Sequence, residues 1–232
     1  MKKIFLIVGF ILSVHCMMYG QVKNILVLGD SHLKGYFGEF LHKKLHETGK
    51  YDVLSIGIGG AGSKNFVLPL QNVCCGYKVR LTCAGDSISE KKSIPYIEKA
   101  ESSTKGIILK RFGGRLSHVL EIWRPDAVII ALGSNYVNAH DELISILEDY
   151  NPDLFYVWVG PFKRRNVAIR YAAIEKTIRE NPQGILIRSD DIIGHDTLSS
   201  AHFTGASARR WAYEVMNRFE PILTDRLYTP AK

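Results

Sequence analysis

The sequence predicts an α/β fold, a three-layer α/β/α sandwich with a mainly parallel central sheet. Short apolar runs alternate with amphipathic stretches, the runs contain almost no polar residue, and polar or glycine residues follow where they end. A continuous apolar run is typical of a strand covered by helices on both faces. Alternation of such strands with helices favours parallel pairing.

The elements follow one another in regular order. The first predicted strand is Ile25-Leu26-Val27-Leu28, and the helix after it carries Phe37, Leu41 and Leu45 on one face. Further predicted strands lie at residues 52–56, 126–132, 154–159 and 185–187, and further helices at 142–150, 168–179 and 206–223. In folds of this kind, sites form at the carboxyl ends of the strands. We therefore expect the chemistry just after each strand.

The amino terminus predicts a signal peptide over residues 1–20, followed by one domain over residues 21–232. Two lysines precede an apolar run at residues 4–14, which is too short to span a bilayer. An uncleaved anchor is one alternative, because the residues before position 21 match a cleavage site poorly. A lipoprotein modified at Cys16 is another, although His15 stands where a small residue is preferred. We expect a secreted or periplasmic protein with no stable membrane insertion after cleavage, and its oligomeric state stays open.

The charge of the chain is moderately positive. The formal net charge is +7 at pH 7, or +5 without Lys2 and Lys3. Such an excess could favour an anionic polymer such as a cell-wall glycan. The basic residues are spread along the chain, and pairs such as Arg164-Arg165 and Arg209-Arg210 are typical of solvated faces. A nucleic-acid partner is therefore not expected.

Three cysteines follow the predicted signal peptide: Cys74, Cys75 and Cys83. In an oxidising compartment one pair could close a loop. We expect the bridge to join Cys83 to one of the other two, since adjacent cysteines seldom bond each other. No set of His and Cys residues has the spacing of a metal site. We expect neither a metal nor an organic cofactor.

Four short blocks occur in order, three at the end of a predicted strand and the fourth before the last helix. They are Gly29-Asp30-Ser31-His32-Leu33, Ser55-Ile56-Gly57-Ile58-Gly59-Gly60, Leu132-Gly133-Ser134-Asn135 and His202-Phe203-Thr204, the last leading to Trp211-Ala212. In these blocks the chain resembles the SGNH (GDSL-like) hydrolase superfamily, from about residue 23 to residue 219. The order of the blocks is more specific than G-D-S alone, which recurs at Gly85-Asp86-Ser87 without further blocks after it.

The resemblance implies a flavodoxin-like SGNH hydrolase fold and a serine esterase. It implies that Ser31 is the nucleophile and that His202, whose ordinary pKa suits a base near neutrality, takes its proton. The oxyanion hole would consist of the Ser31 and Gly60 backbone N–H groups and the Asn135 side-chain amide. The expected substrates are small acyl esters, first of all O-acetyl groups on carbohydrate or cell-wall glycan. Acyl transfer to a sugar by the same serine and a catalytically silent glycan-binding module are the alternatives.

The chain departs from the family pattern in two places. The family carries an acid three residues before the histidine, where this chain has Ser199. Asp196 is the favoured partner of His202, with Ser199 or a backbone carbonyl as alternatives. In addition, the interval between Gly60 and Asn135 is long and predicts an insertion at about residues 69–118, either a lid or a surface excursion.

Other interpretations of the same residues are structural. Ser31 could be only a helix N-cap, the glycines at 57–62 a phosphate-binding turn, and Asn135 a helix cap. Four further histidines are expected to be ordinary surface residues: His32, His118, His140 and His195.

Overall fold

A computed structural model of the chain describes residues 21–88, 93–101, 106–136, 138–194 and 202–229. The strands are β1 (Lys23–Gly29), β2 (Tyr51–Ile58), β3 (Tyr77–Thr82), β4 (Tyr96–Ala100), β5 (Ala127–Ala131), β6 (Phe155–Lys163) and β7 (Gly184–Gly194). The helices are α1 (Ser31–Lys34), α2 (Tyr36–Glu47), α3 (Lys64–Val67), α4 (Leu116–Trp123), α5 (His140–Tyr150), α6 (Val167–Glu180) and α7 (Gly205–Tyr228), with a 3-10 turn at Lys110–Phe112. The predicted signal peptide lies outside the described residues.

The strands form one seven-stranded sheet in the order β4-β3-β2-β1-β5-β6-β7. The pairs of β1 with β2, β1 with β5, β5 with β6 and β6 with β7 are parallel. Only the edge differs, because β3 runs antiparallel to β2 and β4 antiparallel to β3. The predicted α/β fold with a mainly parallel sheet is confirmed.

Both faces of the sheet are buried. Ile25 and Val27 of β1 belong to a core that includes side chains of α2 and α7. Leu26 and Leu28 point to the other face, into a core with side chains of α4, α5 and α6. Alternate residues of a strand face opposite sides, so a strand buried on both sides reads as a continuous apolar run. This is why the sequence pattern of β1 was unambiguous.

The segment between β2 and α4 builds part of the sheet. It contributes β3 and β4, and the Arg80 side chain of β3 is only 1% exposed. The Arg80 guanidinium donates hydrogen bonds to the carbonyls of Leu33 (2.9 Å) and Lys34 (2.8 Å). These carbonyls belong to α1, the short helix that begins at Ser31. The long interval thus supports the turn that carries the predicted nucleophile.

The expected bridge to Cys83 is wrong. Cys74 and Cys75 form a disulfide with each other, whereas Cys83 is an exposed free thiol. The reason is that the extended strand β3 lies between Cys75 and Cys83. Its six residues span ~20 Å, while bridged cysteines need Cα atoms within about 7 Å.

Within the described ranges, no helix is long and apolar enough to cross a membrane.

Candidate active site

Three loops meet at the carboxyl edge of the sheet. Gly29, the last residue of β1, pairs with Gly57 of β2 and with Ala131 of β5, so the loops that follow these strands start side by side. The first loop carries Ser31, the second Gly60 and the third Asn135. These are the residues that the sequence blocks single out.

The Asn135 amide joins the three loops. Its Nδ2 donates a hydrogen bond to the Ala61 carbonyl over 2.9 Å and lies 3.5 Å from Oδ2 of Asp30. Ala61 follows Gly60, and Asp30 precedes Ser31. The predicted oxyanion residues are therefore brought together, and Asn135 contacts the neighbour of each of the other two.

Asp30 shapes the turn at the predicted nucleophile. Its Oδ1 accepts a hydrogen bond from the His32 N–H over 2.8 Å, so Asp30 rather than Ser31 is the N-cap of α1. The carboxyl group is buried, and burial raises its pKa to about 7. Gly57 allows α1 to lie close, because a Cβ there would collide with the backbone of Lys34. Ser31 thus stands at a tight strand-to-helix turn held by its neighbours.

Gly60 has a backbone conformation that favours glycine, with φ of +79°. A Cβ at this position would lie 2.6 Å from the Sγ of Cys74, so the disulfide packs directly against the turn. Within the described residues, the Gly60 N–H donates to no protein acceptor. The same holds for the Ser31 N–H, so two backbone donors at this edge are available to a substrate.

His202 lies just before α7 and lines a cavity of about 270 Å³ together with Ser31. The other lining residues are Lys34, Gly35, Tyr36, Cys75, Lys78, Phe203 and Thr204. Partial burial lowers the pKa of His202 below 6.5, and the positive charge of Lys34 lowers it further. The imidazole is therefore neutral at pH 7, which is the form that a general base requires.

No family model matches the sequence, and no curated protein matches it. Solved structures share the fold. A family 3 carbohydrate esterase from Clostridium thermocellum aligns with a TM-score of 0.56 at 14% identity, covering 89% of this chain and all of the other. An acetyl xylan esterase from the rumen bacterium Butyrivibrio proteoclasticus aligns at 0.54 and 14%, covering 88% of this chain and 65% of the other. A peptidoglycan O-acetylesterase aligns at 0.53 and 13%, covering 89% and 93%.

The chain has the fold of these esterases. At such low identity the likeness concerns the fold alone, and the roles of individual residues depend on their own geometry.

Two histidines that we expected at the surface are buried. His32 is 7% exposed, and its ring centroid lies 5.3 Å from that of His202 and 5.3 Å from that of Trp211. Burial lowers its pKa to about 3. His140 is 5% exposed and its Nδ1 is 2.7 Å from the Ser63 hydroxyl. His32 directly follows Ser31 in α1, and one step along a helix turns a side chain by ~100°. His32 therefore points into the core while Ser31 faces the cavity.

Two other histidines, His118 and His195, were also expected at the surface. His118 is exposed, as predicted, and His195 lies outside the described residues.

Two arginines at the site were missed by sequence reasoning. Arg170 of α6 donates to the carbonyls of Gly133 (2.6 Å) and Asn135 (3.1 Å). Arg164 donates to the Ser134 carbonyl over 2.6 Å, so its interpretation as a solvated residue is wrong. Both arginines follow the end of β6, at the carboxyl edge of the sheet where the candidate site lies. That position in the sequence was the signal that could have identified them.

The acid partner of His202 stays a prediction, because Asp196 and Ser199 lie outside the described residues. Two other acids near the end of the sheet are paired elsewhere. Asp190 contacts Arg188 (2.8 Å), and Asp191 contacts Arg218 (2.9 Å), which lowers the pKa of Asp191.

The second G-D-S sequence lies far from this edge. Ser87 is exposed and follows β3, whose last residue, Thr82, pairs with Val53 near the start of β2. It therefore belongs to the opposite end of the sheet from Ser31. Among the described residues, no group of three or more His, Cys, Asp and Glu side chains is placed to hold a metal ion.

Proposed function

We propose that this protein is a secreted serine esterase that hydrolyses small acyl esters of carbohydrate, above all O-acetyl esters, through an acyl-serine intermediate. The observation that carries the proposal is the position of the Asn135 amide, 2.9 Å from the loop of Gly60 and 3.5 Å from the residue before Ser31. The fold shared with carbohydrate and peptidoglycan esterases supports a carboxylic ester hydrolase.

In the first half-reaction the Ser31 Oγ attacks the acyl carbon and its proton passes to His202. The carbonyl oxygen becomes an oxyanion that accepts hydrogen bonds from the Ser31 N–H, the Gly60 N–H and Asn135 Nδ2. When the tetrahedral intermediate collapses, the bond to the alcohol oxygen breaks, and that oxygen takes the proton from His202. The acyl group is left on Ser31.

In the second half-reaction water attacks the acyl-serine. His202 accepts a proton from the water and returns one to the Ser31 oxygen as the carboxylic acid leaves. The same donors stabilise the second oxyanion. Asn135 has two N–H bonds for this task. One is engaged by the Ala61 carbonyl over 2.9 Å, and we assign the oxyanion to the other, which is only weakly engaged by Asp30 at 3.5 Å.

The cavity supports a small acyl group. Its volume is about 270 Å³, and Ser31, Lys34 and Lys78 line it together with Tyr36 and Phe203. An acetyl group fits such a space without a long apolar groove. The disulfide between Cys74 and Cys75 supports an extracytoplasmic location, since disulfides persist in oxidising compartments.

Release of acetate from an acetylated glycan tests the proposal. The Ser31→Ala variant lacks the nucleophile, so we expect kcat to fall by about 10³-fold or more. Ser87→Ala is the matched control, because it alters the serine of the second G-D-S sequence. Equal activity of the Ser31→Ala variant and the wild type would overturn the mechanism.

A further inference from the structure

Two lysines line the cavity that contains Ser31 and His202. The side chains of Lys34 and Lys78 are only 18% and 20% exposed. The Lys34 ammonium donates a hydrogen bond to the Cys75 carbonyl, so the disulfide loop fixes its position. Partly buried ammonium groups interact with a nearby anion more strongly than fully solvated ones do.

These two lysines already share one carboxylate. Oε2 of Glu101 lies 3.7 Å from Lys34 Nζ, and Oε1 lies 3.6 Å from Lys78 Nζ. One carboxylate thus bridges the two ammonium groups through its two oxygens. The spacing of Lys34 and Lys78 is therefore suited to a carboxylate.

The bridging carboxylate does not neutralise the site. Glu101 supplies one negative charge against two positive ones, and its side chain is 60% exposed. Among the described residues that line the cavity, none is acidic. Lys99 adds a further positive charge close by, since its ammonium and that of Lys78 lie over the same Tyr96 ring, 5.2 and 5.1 Å from its centroid.

The exposed position of Glu101 makes it replaceable. Exposed ion pairs contribute only ~0–1 kcal/mol, so a second carboxylate can displace Glu101 from the lysines at little cost. Tyr36, which is 58% exposed, lies at the rim of the same cavity and offers an aromatic face to a sugar ring.

We propose that the substrate is an acyl ester of an acidic glycan, and that a sugar carboxylate binds Lys34 and Lys78 while the ester lies at Ser31. This inference rests on the proposed esterase function and adds the substrate class. The carboxylate takes the place of Glu101 between the two ammonium groups, and the positive field at the cavity attracts the acidic polymer.

The test compares two polymers that differ in the carboxylate, O-acetylated polygalacturonate and an O-acetylated form of the same polymer whose carboxyl groups have been reduced to hydroxymethyl groups. We expect kcat/KM of the wild type to be about two- to fivefold higher on the acidic polymer, because the two weak charge pairs that it forms are partly offset by those that Glu101 gives up. The preference should decline as sodium chloride is raised from about 0.02 to 0.5 M, because salt screens the charges. This measurement needs no variant and so does not depend on how a variant folds.

The variants locate the preference. In the Lys34→Met/Lys78→Met double variant we expect the ratio of the two kcat/KM values to fall to about 1. Lys176→Met is the matched control, because this lysine is 66% exposed on α6, and its ratio should equal that of the wild type.

Two outcomes would overturn the inference: a wild-type ratio of 1 or below, or an unchanged ratio in the double variant. Ser31-dependent hydrolysis of the neutral polymer in those cases would leave the esterase function standing. Loss of that dependence would instead contradict the esterase function itself.

Discussion

At the scale of single residues, the two neighbours of Ser31 show how a polar turn is built into a core. Asp30 is buried and its pKa is raised to about 7, whereas His32 is buried and its pKa is lowered to about 3. In both cases burial disfavours the charged form. The His32 ring is therefore neutral. His202, the proposed base, has an uncharged ring beside it rather than a second cation.

The partner of His202 is the least determined residue of the proposed mechanism. If Asp196 orients the imidazole, Asp196→Asn should lower kcat by about 10²-fold or more with folding intact, because a carboxylate stabilises the imidazolium. Ser199→Ala should then have little effect. The two variants are compared by acetate release and by circular dichroism.

The reverse order of effects would assign the role to Ser199. Small effects in both variants would indicate a Ser-His dyad in which a backbone carbonyl orients the ring.

At the scale of elements, α6 holds the loop after β5. The Arg170 guanidinium donates to two carbonyls of that loop, those of Gly133 and Asn135. Gly133 has φ of +113°, a conformation that other residues rarely adopt. The helix thus fixes the backbone from which the Asn135 amide extends toward Ala61.

In the proposed mechanism Arg170 is accordingly a positioning residue for the oxyanion hole. We expect Arg170→Met to lower kcat about tenfold with little change in KM, since the Asn135 amide acts mainly in the transition state. Arg179→Met, an exposed position on the same helix, is the control. In an Asn135→Ala background, Arg170→Met should have almost no further effect on kcat.

A tenfold loss from Arg170→Met in both backgrounds would show that the arginine acts independently of Asn135.

The elements differ in how well the sequence predicts them. β1 was predicted because both faces are buried, which leaves only apolar residues at positions 25–28. β4 was not, because Tyr96–Ala100 is a half-exposed edge strand of mixed polarity. The buried Arg80 depends on the pairing of β3 with β2, and the residue pattern within a strand does not determine which strand it pairs with.

The residues of the candidate site also differ in how well the sequence predicts them. Ser31, Gly60, Asn135 and His202 were predicted as site residues because motifs mark them. Arg164 and Arg170 bind backbone carbonyls through long side chains, and no local pattern distinguishes them from solvated arginines.

At the scale of the whole molecule, buried histidines couple folding to pH. His32, His42 and His140 are buried, and burial lowers the pKa of each below 6.5. The unfolded chain gains protons at these positions below about pH 6.5, while the folded chain does not. Their contribution to stability is therefore present above pH 6.5 and is lost as the pH falls toward the folded pKa values, about 3 for His32 and about 4 for His140.

Asp30 acts in the opposite direction. Its folded pKa of about 7 lies above the ordinary 3.8, so its contribution is present below pH 3.8 and is lost as the pH rises through 7. Between pH 6.5 and 4, the effect of Asp30 on the free energy of unfolding partly offsets the effect of the three histidines. We expect the net free energy of unfolding to decrease with acidification across this range.

His140 is the position at which to test this coupling, since it does not line the cavity of Ser31 and its Nδ1 is bonded to Ser63. Glutamine keeps a hydrogen-bonding group but does not titrate. We expect His140→Gln to be less stable than the wild type at pH 7 and to lose less stability between pH 6.5 and 4.5, because one protonation of the unfolded state is removed. A difference of one bound proton changes the slope of the free energy of unfolding against pH by about 1.4 kcal/mol per pH unit. Urea unfolding at several pH values measures this slope, with the exposed His118→Gln as the control that should follow the wild type. Parallel curves for His140→Gln and the wild type would show that His140 titrates alike in the folded and unfolded chains, contrary to its burial.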